Sequence, residues 1–410
     1  MSLMDRFYLS TDNMDYNMGM ISMSTSNCVF CVGCGLCQAC SKAELQINDK
    51  GFSYPVSGEQ EWLDKVCPIG NLPAREYDDS TIWGRSETVC FGWSNNPELR
   101  MHASSGGIIS EIACYLLKTG QVDGVIHVCA DTDNQTTNNT TISYSREDVI
   151  KKAGSRYSIS HPLDIIRELD PAKKYAFIGK PCDVVALRNY QEMNPENIEI
   201  VPILLSFFCM GLPSVQAQEK LLKALDSDIS RCKSLTYRGN GWPGYATVVN
   251  KDGTSVQIDY DSSWGKILGR DLMPACRFCL DGIGEAADIS CGDAWYIGDN
   301  GKPDFSEHEG RNVVFARTPR GLDIINDMIN EGTATFKKVE DPEAYLPRIQ
   351  RSQFFRRASM SSRIAALRLM RKPYPKYPKG LMNSYSKHIT LKERIKVFLG
   401  TCKRISKGVI

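Results

Sequence analysis

The sequence predicts an α/β body with a mixed sheet, preceded by a small cysteine-rich module and followed by a basic helical tail. Three observations predict it. Strand and helix signals alternate between about residues 100 and 345, and five cysteines recur at every third position from Cys28 to Cys40. Residues 351–410 hold 16 Lys and Arg against a single acid, Glu393. At 410 residues the chain is long enough for two or three domains and a sizeable core. Its 42% hydrophobic and 24% charged content is that of a globular protein and excludes a disordered or fibrous chain. The longest apolar run, residues 201–212, falls short of the ~20 residues a membrane-spanning helix needs. The start, MSLMDRFYLSTDN, has no basic stretch leading into an apolar one, so the expected location is cytoplasmic.

The elements follow in order. Residues 1–27 are polar and without periodicity, a lead-in to the cysteine-rich module at 28–75. In the body, 88–345, residues 106–118 predict a helix capped by Ser104 or Ser105, and 122–130 a strand. A second strand at 141–145 leads into Ser145, whose S-x-x-D pattern caps a short helix ending near Gly154. Then come a strand at 175–178, a helix at 182–190, a buried strand at 200–208 and a helix at 214–225. Residues 234–260 predict strands joined by a Gly/Pro loop and an Asp252-Gly253 hairpin turn. A buried strand at 312–316 precedes a helix through 323–329. The body divides into an N-terminal part, 88–165, and a C-terminal part, 170–345, with no internal repeat.

The tail, 346–410, contains a stiff Pro-Tyr-Pro-Lys-Tyr-Pro stretch at 373–378, followed by a capping box, Thr390-Leu-Lys-Glu393. Leu391, Ile395, Phe398, Cys402 and Ile405 then share one helix face, while Lys392, Lys396, Lys403 and Lys407 are mostly off it. The 350 residues before 351 carry 33 bases against 47 acids, so the split points the tail at something anionic. Two readings stand. One is a helix lying on an anionic membrane, peripheral at the inner face; the other is a helix packed on the acidic body or a second subunit.

Sixteen cysteines in a chain without a readable export signal argue for metal rather than disulfides. Cys31-Val-Gly-Cys34-Gly-Leu-Cys37 is a C-x2-C-x2-C triplet, and Cys67-Pro68 supplies a remote fourth thiolate, the pattern of a 4Fe–4S cluster. Cys28 and Cys40 share the spacing and can replace a member. Zinc is the alternative, but a second C-x2-C pair nearby, as zinc ribbons use, is missing. Ser41 follows Cys40 where a two-cluster ferredoxin would have Pro, so the module is ferredoxin-like with one cluster. The five histidines show no metal or triad spacing, no G-x-G-x-x-G or Walker loop occurs, and nothing indicates nucleic-acid binding.

Seven further segments are distinctive: Ser104-Ser105-Gly106-Gly107, Gly154-Ser155-Arg156-Tyr157, Gly179-Lys180-Pro181-Cys182-Asp183, Phe208-Cys209-Met210-Gly211, Tyr237-Arg238-Gly239-Asn240-Gly241-Trp242-Pro243-Gly244, Cys276-Arg-Phe-Cys279-Leu-Asp281-Gly282 and Asp288-Ile-Ser-Cys291-Gly292-Asp293-Ala294-Trp295. In this order they closely resemble the beta-subunit family of coenzyme F420-reducing hydrogenase and dehydrogenase, more narrowly bacterial members among polysaccharide-biosynthesis genes. The resemblance covers residues 28–345. It implies a flavoenzyme with FAD beside 4Fe–4S clusters. Ser104, Ser105, Gly106 and Gly107 would meet a flavin phosphate at a helix start, the alternative being a simple capped helix. Ser155, Arg156 and Tyr157 match a segment near the flavin, and Lys180 would place positive charge by the reduced ring. Cys182, Cys209, Cys276 and Cys279 lie on the resembling segments and read as a second 4Fe–4S cluster, with Cys291 the rival for one position and a zinc or redox Cys-x2-Cys pair the alternative. Cys114, Cys129, Cys232 and Cys402 read as inert.

The leading expectation is therefore an FAD- and 4Fe–4S-dependent oxidoreductase. It would couple a ferredoxin-like one-electron carrier to hydride chemistry on F420 or another small molecule, such as a polysaccharide or lipid-linked intermediate. The alternative is an electron-transfer subunit feeding a partner enzyme, without a substrate site of its own. No catalytic residue is assigned, and a homo-oligomer is compatible with either.

Overall fold

The computed structural model describes residues 30–41, 43–57, 60–69 and 80–408. Cys28 lies outside the described residues. The described residues begin with helix α1 (Leu36–Ser41), the hairpin β1 (Leu45–Ile47) and β2 (Ser53–Pro55), and helix α2 (Gln60–Val66). The body begins with β3 (Thr88–Ser94), α3 (Pro97–His102), α4 (Ile108–Lys118), β4 (Gly124–Ala130), β5 (Asn138–Ser143) and α5 (Arg146–Lys152). It continues with β6 (Tyr175–Gly179), α6 (Pro181–Met193), α7 (Glu196–Ile200), β7 (Ile203–Phe207) and α8 (Val215–Ala224). Strands β8 (Cys232–Thr236), β9 (Tyr245–Asn250) and β10 (Ser255–Asp259) form a separate antiparallel sheet. Then come β11 (Ile289–Asp293), β12 (Tyr296–Ile297), β13 (Pro303–Asp304), β14 (Asn312–Ala316), α9 (Pro319–Glu331) and β15 (Ala334–Lys338). The tail supplies α10 (Pro342–Ile349), α11 (Arg351–Ala358), α12 (Met360–Leu369), α13 (Lys379–Ser386) and α14 (Leu391–Ser406).

The main sheet has eight strands in the order β15-β3-β14-β11-β7-β6-β4-β5. Its centre, β11-β7-β6-β4, is parallel, and antiparallel strands close both sides. Mixed α/β is thus the observed class. Alternate residues of each strand feed opposite faces, as the period of two requires. Val314 and Ala316 of β14 join the core under α4 and α9, while Val313 and Phe315 join the other core. Most of the tail's apolar residues lie in that second core, among them Ala358, Met360, Leu381, Tyr385 and Ile405.

Ser145 caps α5 by accepting from the Asp148 amide, and Thr390 caps α14 with its reciprocal Glu393 bond, both as the sequence predicts. The cap of α4 differs. Gly107, at φ 75°, starts that helix without a side-chain cap, whereas Ser104 and Ser105 turn their hydroxyls elsewhere. The second strand begins three residues earlier than its β-branched run suggests, because β5 pairs with all of β4 from Val125 to Ala130. Among the described residues, no helix is long and apolar enough to cross a membrane.

His127 of β4 sits 7% exposed with its Nε2 2.8 Å from the Ser143 hydroxyl. Burial pushes its pKa down from 6.5 to about 4. Between those values the unfolded chain takes up a proton that the folded chain refuses, so stability falls as pH drops from 6.5 towards 4. The expected slope from this residue is about 1.4 kcal/mol per pH unit in that window. Urea midpoints of the wild type and His127→Gln should converge as pH falls; parallel curves would remove His127 as the cause.

Candidate metal centre

Strand β6 ends at Gly179, and Lys180 turns the chain into α6, with Pro181 in the first helical position, where its missing N–H costs nothing. The Asp183 carboxylate accepts from the Lys180 amide at 3.0 Å and fixes that turn. Cys182 therefore stands at the C-terminal end of β6. The neighbouring parallel strand β7 delivers Cys209 just past its own end, where the Cys209 amide donates to the Gly282 carbonyl at 2.9 Å. Cys276 and Cys279 arrive on and just after a short 3-10 turn, Pro274–Phe278, ahead of β11. The C-terminal edge of parallel strands is where α/β sheets build sites. There the four thiols line one cavity together with Val32, Lys180, Asp281 and Arg356.

The charges around this cavity are specific. Lys180 is buried, its Nζ 2.8 Å from Asp183 and 3.1 Å from the Ser160 hydroxyl. Burial alone would push its ammonium down; Asp183 and the Cys182 sulfur outweigh that and hold it above its ordinary value. Arg356, from α11, donates to the Cys209 carbonyl at 2.7 Å, and Gln353 donates to the same oxygen at 3.0 Å. The Nε of Arg356 is buried without a hydrogen-bond partner, which the great majority of buried polar atoms avoid. Burial raises all four thiols, Cys276 to about 11 and Cys279 to about 12. Metal loading would therefore release protons. The Gly211 and Leu212 amides already hydrogen-bond the sulfurs of Cys209 and Cys276. Four thiols and inward amides suit a thiolate-ligated group, with the charges of Lys180 and Arg356 balanced by the buried carboxylates Asp183 and Asp281. No three Cys, His, Asp or Glu side chains among the described residues are arranged to hold a single metal ion.

The N-terminal set lies beside this cavity. Gly33 donates its amide to the Cys31 sulfur at 3.3 Å, and the Leu36 amide hydrogen-bonds Cys34. Cys34 interacts with Cys37 and also with Asp183 and Lys180. The buried Lys180–Asp183 pair is thus common to both cysteine sets. Cys67 follows α2, which is tied to α6 by the Asn189 side chain donating to the Val66 carbonyl at 3.2 Å. Cys40 turns instead to the Tyr190 hydroxyl. Cys291 is 2% exposed inside the sheet, paired across to Val314, with burial as the sole cause of its raised pKa. It belongs to the core, not to the cavity.

Two family profiles match the body in sequence order. The beta-subunit N-terminal profile of coenzyme F420 hydrogenase/dehydrogenase matches residues 89–167, and its C-terminal counterpart matches 172–342. The chain belongs to the coenzyme F420 hydrogenase/dehydrogenase beta-subunit family. It is therefore a member of an oxidoreductase subunit family. The coenzyme F420 hydrogenase subunit beta of Methanococcus voltae is 25% identical over 309 residues, covering 72% of this chain and 99% of the relative. The Methanosarcina barkeri subunit of the same name is 27% identical over 267 residues, covering 63% and 84%. In structure, a chain of the F420-reducing [NiFe] hydrogenase complex from Methanosarcina barkeri superposes with a TM-score of 0.55 at 22% identity. That likeness covers 71% of this chain and 96% of the other, and shows the fold.

Of the residues expected around a flavin, the structure brings the Ser104 and Gly154–Tyr157 segments together and leaves Lys180 in the cysteine cavity. The Ser104 hydroxyl donates to the Arg238 carbonyl at 3.3 Å and accepts from the Ser155 amide at 2.9 Å. Ser105 donates to the Arg311 carbonyl. A Cβ on Gly106 would lie 2.6 Å from the Gly92 carbonyl oxygen, so the protein's own backbone occupies the space that the missing side chain leaves. Arg156 spends its guanidinium on Asn138 and on the carbonyls of Leu235, Gln135 and Thr137. Tyr157 packs its ring on Trp264 and Tyr237. Lys180 belongs to the cysteine cavity. Ser104, Ser105 and Arg156 thus spend their polar side-chain groups within the protein. Sequence reasoning missed Arg356 and Gln353, which come from the tail beyond the matched profile. It also missed the bidentate pair between buried Arg238 and half-buried Asp293, at 2.8 and 3.0 Å.

Proposed function

We propose that this chain is an iron–sulfur electron-transfer subunit of an oxidoreductase, feeding or draining a partner enzyme. One observation carries the reading: Cys182, Cys209, Cys276 and Cys279, brought from three separate stretches of chain, line one cavity beside the buried cations Lys180 and Arg356. These thiols would hold a 4Fe–4S cluster, which supplies one-electron transfer. Cys31, Cys34, Cys37 and Cys67 would hold a second in the ferredoxin-like module, 28–75. Lys180 and Asp183 lie between the sets, Arg356 and Gln353 clamp the Cys209 main chain, and the inward amides offset negative charge on sulfur.

The relatives' names support a partner, since they are hydrogenase subunits, and nominate F420 as an electron donor or acceptor. This favours the electron-transfer subunit over a self-contained enzyme acting on a polysaccharide or lipid-linked intermediate. FAD, implied by the resemblance, is a second and weaker reading, because Ser104, Ser105 and Arg156 spend their polar side-chain groups within the protein. Anaerobic purification with an absorption spectrum and iron, sulfide, zinc and flavin counts tests all of this. The expected result is a brown protein with about eight iron per chain, or about four if one set alone loads. A colourless protein holding zinc would sink the redox reading, and a flavin count near zero would dispose of FAD alone.

A further inference from the structure

Helix α14 is packed on one side and open on another. It rests on α12, with Thr401 and Ile405 buried and Phe398 half-buried. The sequence placed Leu391 and Ile395 on that same face. They instead belong to a neighbouring stripe at i, i+4 and i+8 with Leu399, and the three are 53%, 43% and 59% exposed. The next strip around the helix holds Lys392, Lys396, Lys403 and Lys407, all exposed. The helix's single acid, Glu393, is taken up by the capping box with Thr390. No carboxylate of α14 therefore offsets the lysines.

We infer that α14 docks this chain on an anionic lipid surface, its Leu391–Ile395–Leu399 stripe entering the headgroup boundary and its lysine row meeting lipid phosphates. An apolar stripe bordered by a row of lysines is the pattern of an interfacial helix. A protein partner fits less well. Protein interface cores favour aromatic residues and Arg and are depleted in Lys, and the stripe has no aromatic side chain. The surface is independent of the cysteine cavity, so its test does not depend on the electron-transfer reading.

The test uses the full chain, because cutting at 380 would strip Leu381, Tyr385 and Ile405 from the core. Sedimentation with vesicles of phosphatidylglycerol and phosphatidylcholine at low salt should carry the protein down, and pure phosphatidylcholine or high salt should not. Lys392→Gln/Lys396→Gln/Lys403→Gln/Lys407→Gln should weaken binding by roughly two to three orders of magnitude. Leu391→Ser/Ile395→Ser/Leu399→Ser should abolish it, with circular dichroism and melting unchanged because all three sites are exposed. Failure of the wild type to sediment with anionic vesicles at low salt overturns the proposal, as does full binding by the triple Ser variant. So does self-association of the wild type that the triple variant loses, since the face would then belong to a protein contact.

Discussion

Cys279→Ser is expected to remove about four iron atoms per chain and leave the rest, and Cys34→Ser to remove the complementary share. The two sets share no cysteine and stand on different scaffolds. Cys279 sits ahead of β11 among sheet-edge loops, while Cys34 precedes α1 in the N-terminal module. The Lys180–Asp183 pair adds a sharper expectation. Both Cys34 and Cys182 interact with it, so two reduced clusters would lie close enough to couple magnetically. Reduced wild type should give a broadened, interacting electron paramagnetic resonance signal, and each single variant a simple one. Cys291→Ser should keep all of the iron, because Cys291 is buried within the sheet. Loss of all iron from both Cys279→Ser and Cys34→Ser, with native circular dichroism, would mean one shared centre. Loss of iron together with the dichroism would mean that folding depends on metal.

How much of this was legible depends on how local each feature is. The strand at 312–316 and the caps at Ser145 and Thr390 are written in a few adjacent residues, and they occur as read. The start of α4 was misread because its geometry is set from a distance: Gly106 is pressed against Gly92 of β3 and Asn312 of β14. Nothing near residue 104 records those contacts. The cysteines of the cavity could be nominated because each lies on a distinctive segment, yet the segments do not say which charges face the thiols. Arg356 illustrates the gap. Composition shows a basic tail and points it at something anionic, without saying where in the fold the partners lie. The fold turns part of that charge inward, against Cys209 and Glu285. Composition counts charges without giving them a direction. Similarly, the spacing of α14 showed an amphipathic helix but could not divide its apolar residues between a packed side and an open one.

The inward charge sets the largest expected loss of stability. Arg357→Met should destabilise the protein by about 3–5 kcal/mol. Arg357 is fully buried; its guanidinium donates to the carbonyls of Ile82 and Leu280, at 2.7 and 2.9 Å, and to the Tyr385 hydroxyl at 2.6 Å. It also pairs with Glu285. Burial works against its charge, but Glu285 and Tyr385 more than compensate and raise its pKa. Met approximates the volume but strands the Glu285 carboxylate, leaving Arg317 as its remaining cationic neighbour. Burial has already lowered the Arg317 pKa to about 10. Breaking one side of such a pair costs far more than the intact pair contributes, because the surviving charge stays out of water. Denaturant midpoints and slopes measure the loss. Arg351→Met, on the exposed side of the same helix, should stay within about 0.5 kcal/mol of wild type. A small effect at Arg357 would make the tail an appendage that the body does not need. The expected large one makes residues 351–386 part of the body's core, and because Arg356 and Gln353 sit on the same helix, loosening it should also loosen the Cys209 end of the cavity and lower iron retention.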